Sequence, residues 1–139
     1  MRRIVLDTNC LLMALPSRSQ YHRVWTDFLA GTLEFCVSTE ILNEYEEIIG
    51  KQSSPALAEA VIQALINRPN LVRVEPTYFF HLIEADPDDN KFVDCAVCGN
   101  AELIVTNDAH FNVLKNIDFP IVDVKSIQEF IAELTSLSL

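Results

Sequence analysis

The chain predicts an α/β protein built on a parallel sheet with helices on both faces. Two observations carry that expectation. Short apolar runs alternate along the whole length with segments whose apolar residues recur at helical spacing. At 139 residues, half of them hydrophobic and 22% charged, the chain has the size and composition of one folded domain with a single core. A disordered chain would be poorer in apolar residues.

Taken in order, Ile4-Val5-Leu6 is a short buried strand that ends on a carboxylate, Asp7. Tyr21, Val24, Trp25, Phe28 and Leu29 repeat at helical spacing. After the Gly31-Thr32 break, Leu33 to Val37 reads as a second strand. Ile41, Leu42, Tyr45, Ile48 and Ile49 form the apolar stripe of a helix ending near Gly50. Leu57, Val61, Ala64 and Leu65 mark another, stopped by Pro69. Leu71 to Val74 is a strand, and residues 78–83 are expected to form a short helix. A helix then runs from about Asn90 to Asn100, after the acidic segment 84–89. Leu103 to Thr106 is a buried strand, 109–116 a helix, and Ile121 to Val124 the last strand. Ser126 and Glu129 form a capping box that opens a final helix on Ile127, Phe130, Ile131 and Leu134. Repeats and low-complexity tracts are absent from the sequence.

Composition excludes several functions. Twenty acidic against ten basic residues give a formal charge of −10. Such a chain repels phosphates and cannot hold nucleic acid by a broad basic footprint; a divalent cation would have to reverse the charge locally. Only three glycines occur, with no phosphate loop, dinucleotide fingerprint or nucleophile elbow. The spacing Cys95-x-x-Cys98 lies within a helical pattern and lacks a second pair, so small buried thiols are expected rather than zinc or redox chemistry. His22, His81 and His110 form no ligand cluster by spacing. No apolar run approaches the ~20 residues of a membrane span, and the N-terminal residues lack the pattern of a signal peptide. A cytoplasmic protein is expected.

In parallel α/β folds, ligands bind beyond the carboxyl ends of the strands. The first strand ends in Asp7-Thr8-Asn9, and the strand at 103–106 in Thr106-Asn107-Asp108. Either carboxylate alone is equally well read as a helix cap. On a helical wheel Glu44 lies on the flank of its helix's apolar stripe, where an ordinary boundary ion pair is the plainer reading. Asp89 projects inward at the first turn of its helix, whereas Asp94 falls about 140° from Phe92 and Ala96, a peripheral position. Asp86 and Asp88 read as turn residues around Pro87. Carboxylates gathered within ~5 Å repel by about 3 kcal/mol per pair at an effective dielectric of ~20. They persist together only with protons or a cation, and hard oxygen donors select Mg²⁺ or Mn²⁺. The matching chemistry is metal-dependent phosphodiester hydrolysis.

Four stretches carry a family resemblance: Val5-Leu6-Asp7-Thr8-Asn9, Val37 to Glu44, Asp86-Pro87-Asp88-Asp89-Asn90-Lys91-Phe92-Val93, and Ile104 to Asp108 with His110-Phe111. In this order and spacing they resemble the PIN domain family, in particular its bacterial VapC-type toxin branch. The resemblance covers nearly the whole chain. It implies a single domain over 1–139, a five-stranded parallel sheet in a three-layer α/β/α sandwich, and a Mg²⁺- or Mn²⁺-dependent endoribonuclease that is the toxin of a toxin–antitoxin pair. It implies Asp7, Glu44, Asp89 and Asp108 as catalytic residues. Asp7, Asp89 and Asp108 would be metal ligands, with Asp94 in reserve for the third acidic position. Asn9 and Thr106 would orient ligands or waters, and Glu44 would orient or deprotonate the attacking water. Arg18, Arg23, Lys51, Lys91 and Lys115 would guide RNA at the rim. The implied partners are an RNA substrate, a cognate antitoxin and a second copy in a homodimer, with no membrane. The rival reading is a PIN fold that binds RNA or protein without turnover. Aspartyl phosphohydrolases want a second Asp where Asn9 stands, and response-regulator receivers want an acidic pair after the first strand; both patterns are missing.

Overall fold

The structure is a computed structural model in which residues 1–137 are described. Five parallel strands, β1 (Arg2–Leu6), β2 (Leu33–Val37), β3 (Leu71–Arg73), β4 (Leu103–Val105) and β5 (Val124–Lys125), form one sheet in the order β3-β2-β1-β4-β5. The helices are α1 (Thr8–Ala14), α2 (His22–Leu29), α3 (Thr39–Gln52), α4 (Pro55–Ile66), α5 (Asn90–Cys98) and α6 (Ile127–Leu137). Two 3₁₀ segments, Pro87–Asp89 and Ala109–Asn116, complete the order.

Adjacent residues of β2 show how the layers are divided, because successive side chains in a strand point to opposite faces. Phe35 stacks on Phe28 of α2 at 4.3 Å between ring centroids. Cys36 meets Cys95 of α5 instead, sulfur to sulfur at 3.7 Å. Helices α2 and α5 therefore lie on opposite faces. Arg2 of β1 shares the Phe35 face by register and reaches α6, with its guanidinium 5.0 Å from the Phe130 ring. Arg3, pointing the other way, bonds the Gly99 carbonyl behind α5 at 2.7 Å. Gly99 has no room for a Cβ, which would collide with the Cys36 sulfur. This three-layer α/β/α sandwich is the predicted architecture.

The core fills both faces of β1, where Ile4, Val5 and Leu6 are fully buried together with Phe35, Tyr45, Phe92 and Phe111. Ser38 caps α3 through the Ile41 amide, and Ser54 caps α4, with Pro55 at its first position. The predicted capping box of α6 forms: Glu129 N donates to Ser126 Oγ at 3.1 Å, and Ser126 N to Glu129 Oε1 at 2.9 Å.

Several expectations are corrected. Residues 78–83 are not a helix. His81 sits at φ +52°, and the amides of Phe80 and Ile83 donate to the side chains of Asp94 and Asn90 rather than to a helical ladder. Residues 109–116 wind as a 3₁₀ helix, which places the buried Phe111 and Leu114 above one another at its three-residue period. The last strand shrinks to Val124–Lys125, an edge paired only with β4. Thr8–Ala14 is a helix for which the sequence offered only the cap reading of Asp7 and no apolar stripe. Cys98 is exposed, unlike Cys10, Cys36 and Cys95. Among the described residues, no helix is long and apolar enough to cross a membrane.

Candidate functional site

The strand order reverses between β1 and β4: the chain leaves β1 toward β2 and reaches β4 from β3. Such a switch point opens a crevice at the carboxyl ends of the two strands. Asp7 and Asp108 stand on either side of it. The Asp7 amide extends the ladder to the Val105 carbonyl at 3.0 Å, so the two strand ends are locked together. A cavity of about 230 Å³ lies there, lined by Asp7, Thr8, Asn9, Glu44, Asp86, Asp89 and Asp108 over a floor that includes Phe92.

Asp7 opens α1 but makes no capping bond with its side chain. Its Oδ2 accepts the Thr106 hydroxyl at 2.6 Å, and the same Thr106 oxygen accepts the Asp108 amide at 3.1 Å. One hydroxyl thus ties both acidic strand ends. Burial pushes the Asp7 carboxyl above its ordinary pKa against that hydrogen bond, and the charges of Glu44 and Asp108 add to the rise. Asp108 keeps a capping role as well, its Oδ1 accepting the His110 amide at 2.9 Å.

Asp89 is the most perturbed of the group. Burial, then the neighbouring charges of Asp108 and Asp86, push its pKa up to about 7. Its Oδ2 is buried and accepts no hydrogen bond. The nearest imidazole is that of His110, whose Nδ1 lies 3.6 Å from that oxygen and 3.4 Å from Asp108 Oδ1. Asp86, Asp89 and His110 each present a ligand atom within 4.8 Å of the others. A buried carboxylate oxygen without a donor, among further oxygen donors and one imidazole, suits a hard divalent cation. The residues present therefore fit a metal ion.

Glu44 enters from α3 and is held at both oxygens. Oε2 accepts the Thr8 hydroxyl, and Oε1 lies 2.8 Å from the ammonium of Lys91. Lys91 is not the rim cation expected for guiding RNA: its side chain is only 5% exposed, on the inner side of α5. Its Nζ also contacts Asp88 Oδ2 at 2.7 Å and the Asp88 carbonyl at 2.8 Å. Burial opposes the charged ammonium, yet the bonds to Asp88 and Glu44 outweigh it and hold the Lys91 pKa above its ordinary value.

Asp94 is kept apart from this cluster. It is buried rather than peripheral, and its Oδ1 accepts the Phe80 amide at 3.0 Å beside a separate cavity of about 510 Å³ that also meets Phe79 and His81. Asn9 stands exposed at the mouth of the acidic pocket. Of the other expected rim cations, Arg23 pairs with Asp27 and Lys51 with Glu47, each four residues away along its helix, while Arg18 and Lys115 are exposed. Asp86 and Thr8, which line the pocket, and His110, whose ring lies beside Asp89, are the residues to which sequence reasoning gave no role in the site. The signal for His110 was its place in the fourth family-like stretch, two residues after Asp108.

Comparison with known proteins agrees with this geometry. The PIN domain profile matches residues 3–110. Among curated proteins, no sequence matches significantly. A chain of VapBC2 from Rickettsia felis, crystallised with a DNA fragment from its promoter, superposes with a TM-score of 0.61 at 16% identity, covering 89% of this chain and 98% of that one. A chain of DNA-bound VapBC from Salmonella typhimurium gives 0.58 at 19% identity, covering 91% and 99%. The PIN domain endonuclease Utp24 gives 0.51 at 16% identity, covering 89% and 84%. Both in sequence profile and in fold, the chain belongs to the PIN domain family.

Proposed function

We propose that this protein is a metal-dependent endoribonuclease that hydrolyses RNA phosphodiester bonds and serves as the toxin of a toxin–antitoxin pair. The observation that carries the reading is the buried, unpartnered Asp89 Oδ2 in a pocket shared with Asp7, Glu44, Asp86 and Asp108. Family membership supports the nuclease activity. The likeness to two VapBC chains supports a toxin with an antitoxin as its protein partner.

In this reading Asp7, Asp89 and Asp108 hold Mg²⁺ or Mn²⁺, with Asp86 and His110 at hand on the same side of the pocket. Asp94 is left out because its oxygen is engaged by the Phe80 amide. When bound, such an ion supplies charge to hold the scissile phosphate and lowers the pKa of water toward neutrality. Thr106 fixes the rotamer of Asp7 and the backbone of Asp108 together. Asn9 at the mouth orients substrate or water. Glu44, clamped between Thr8 and Lys91, orients the attacking water through its fixed position. The net charge of −10 leaves little affinity for RNA outside the pocket, so binding would depend on the ion.

The test is cleavage of a pool of structured RNAs by purified protein with millimolar Mn²⁺ or Mg²⁺. Metal-dependent cleavage that is lost on chelation and in Asp108→Ala is the expected result. RNA binding without turnover, equal in wild type and Asp108→Ala, would instead establish the rival binding module. Growth arrest on expression, relieved by a co-expressed neighbouring gene, would support the toxin role.

A further inference from the structure

Among the described residues, the ammonium of Lys91 is bound by two carboxylates and one carbonyl: Glu44 Oε1 at 2.8 Å, Asp88 Oδ2 at 2.7 Å and the Asp88 carbonyl at 2.8 Å. Three acceptors match its three donors. Two carboxylates and a carbonyl are also the donor set that hard divalent cations use. The ammonium is buried beside the acidic pocket, where Lys91 and Asp88 line the neighbouring cavity, and it reaches the pocket through one carboxylate, Glu44, which also accepts Thr8. Among the described residues, Asp7, Asp86, Asp89 and Asp108, which line the pocket, make no bond to a lysine or arginine. We propose that Lys91 is a built-in second cation: its ammonium fills the place that a second metal ion would take in a two-metal nuclease, so that the pocket accepts a single divalent ion.

Two-metal sites place their ions about 3.5–4 Å apart, clamped by shared carboxylates. Here the carboxylates are divided. Glu44 belongs to the lysine, and the aspartates belong to the ion. A covalent, rigidly placed cation costs no ion-binding entropy and is not lost when free metal is scarce. The backbone supports this placement. Asn90 accepts the Ile83 amide at 2.9 Å and donates to the carbonyls of Ile83 and Pro87, fixing the turn that carries both Asp88 and Lys91. Lys91 is thus a positioning residue for Glu44 and a determinant of metal count.

This inference rests on the metal-site reading above, and the experiment separates the two. Mn²⁺ alone is titrated by calorimetry into the full-length wild type, Lys91→Met and the neutral pair Lys91→Met/Glu44→Gln. The expected counts are one, two and one ion per chain. In Lys91→Met the three vacated oxygens admit a second ion; with Glu44 also neutral they do not. Two ions in the wild type, or one in Lys91→Met with unchanged affinity, overturn the inference. No uptake by any variant sinks the metal site itself. If Lys91→Met does not fold, Asp88→Asn at the exposed anchor takes its place. Loosening the ammonium should then let a second ion bind at higher Mn²⁺, and a wild-type isotherm would count against the proposal.

Discussion

A single buried oxygen, Asp89 Oδ2, marks the balance between stability and function at this site. Without metal its charge is disfavoured by burial and by Asp108 and Asp86, which raises its pKa to about 7. The folded state then binds more protons than the unfolded chain between the ordinary carboxylate pKa and 7. The contribution of Asp89 is full below the unfolded value and is lost as pH rises through 7. Asp89→Asn removes that penalty, so metal-free Asp89→Asn should melt above the wild type. The gap should widen from pH 5.5 to pH 8 in thermal melts; a gap that narrows would contradict the assigned cause. Thr106 works by orientation. Thr106→Val deletes the bonds to Asp7 and from the Asp108 amide, and hydrogen bonds to charged groups contribute about 1.5–3 kcal/mol. Metal affinity should drop about tenfold or more by titration, with little change in global fold by circular dichroism.

The element that decides the site's shape is the turn into α5. Helix wheels predicted Asp94 at the periphery because Phe92 and Ala96 define an inner face. In the structure every residue from Asn90 to Ala96 is buried, since the irregular segment 76–83 covers the side that a wheel leaves to solvent. A helical stretch buried on every side, as 90–96 is, cannot be read from periodicity. The same limit hid Asp86 and Lys91: the 3₁₀ turn Pro87–Asp89 rotates its neighbours away from the α-helical angles. The strand ends were legible for the opposite reason. Three apolar residues followed by Asp put Asp7 at the carboxyl end of β1, whatever the rest of the chain does. Asn90 makes three hydrogen bonds that close the turn. Asn90→Ala should cost about 2–4 kcal/mol by denaturant unfolding, given about 1–3 kcal/mol per unsatisfied buried partner. An unchanged midpoint would show that the turn is held by other contacts.

At the scale of the whole molecule, the gathering of the site's carboxylates is a property of topology. Strands β1 and β4 are adjacent though nearly a hundred residues separate them in sequence, and only their pairing brings Asp7 to Asp108. The surface works against the substrate. With a net charge of −10, added monovalent salt screens repulsion more than it competes for phosphate contacts. The KM for a hairpin RNA should stay flat or fall between about 50 and 300 mM KCl at saturating metal, whereas a basic nuclease loses affinity steeply over that range. A steep rise in KM would reveal a cationic RNA track that the described surface does not explain. The central claim, that opposed carboxylates at this switch point persist together because they share a divalent ion, has a direct measurement: the melting temperature of the wild type and of Asp89→Asn as Mn²⁺ is titrated at neutral pH. At a hundredfold excess over Kd, native-state binding adds about 2.7 kcal/mol, a rise on the order of 10 °C for a domain of this size. The account predicts that rise in the wild type and its near-complete loss in Asp89→Asn; an equal rise in both proteins, or none in the wild type, would contradict it.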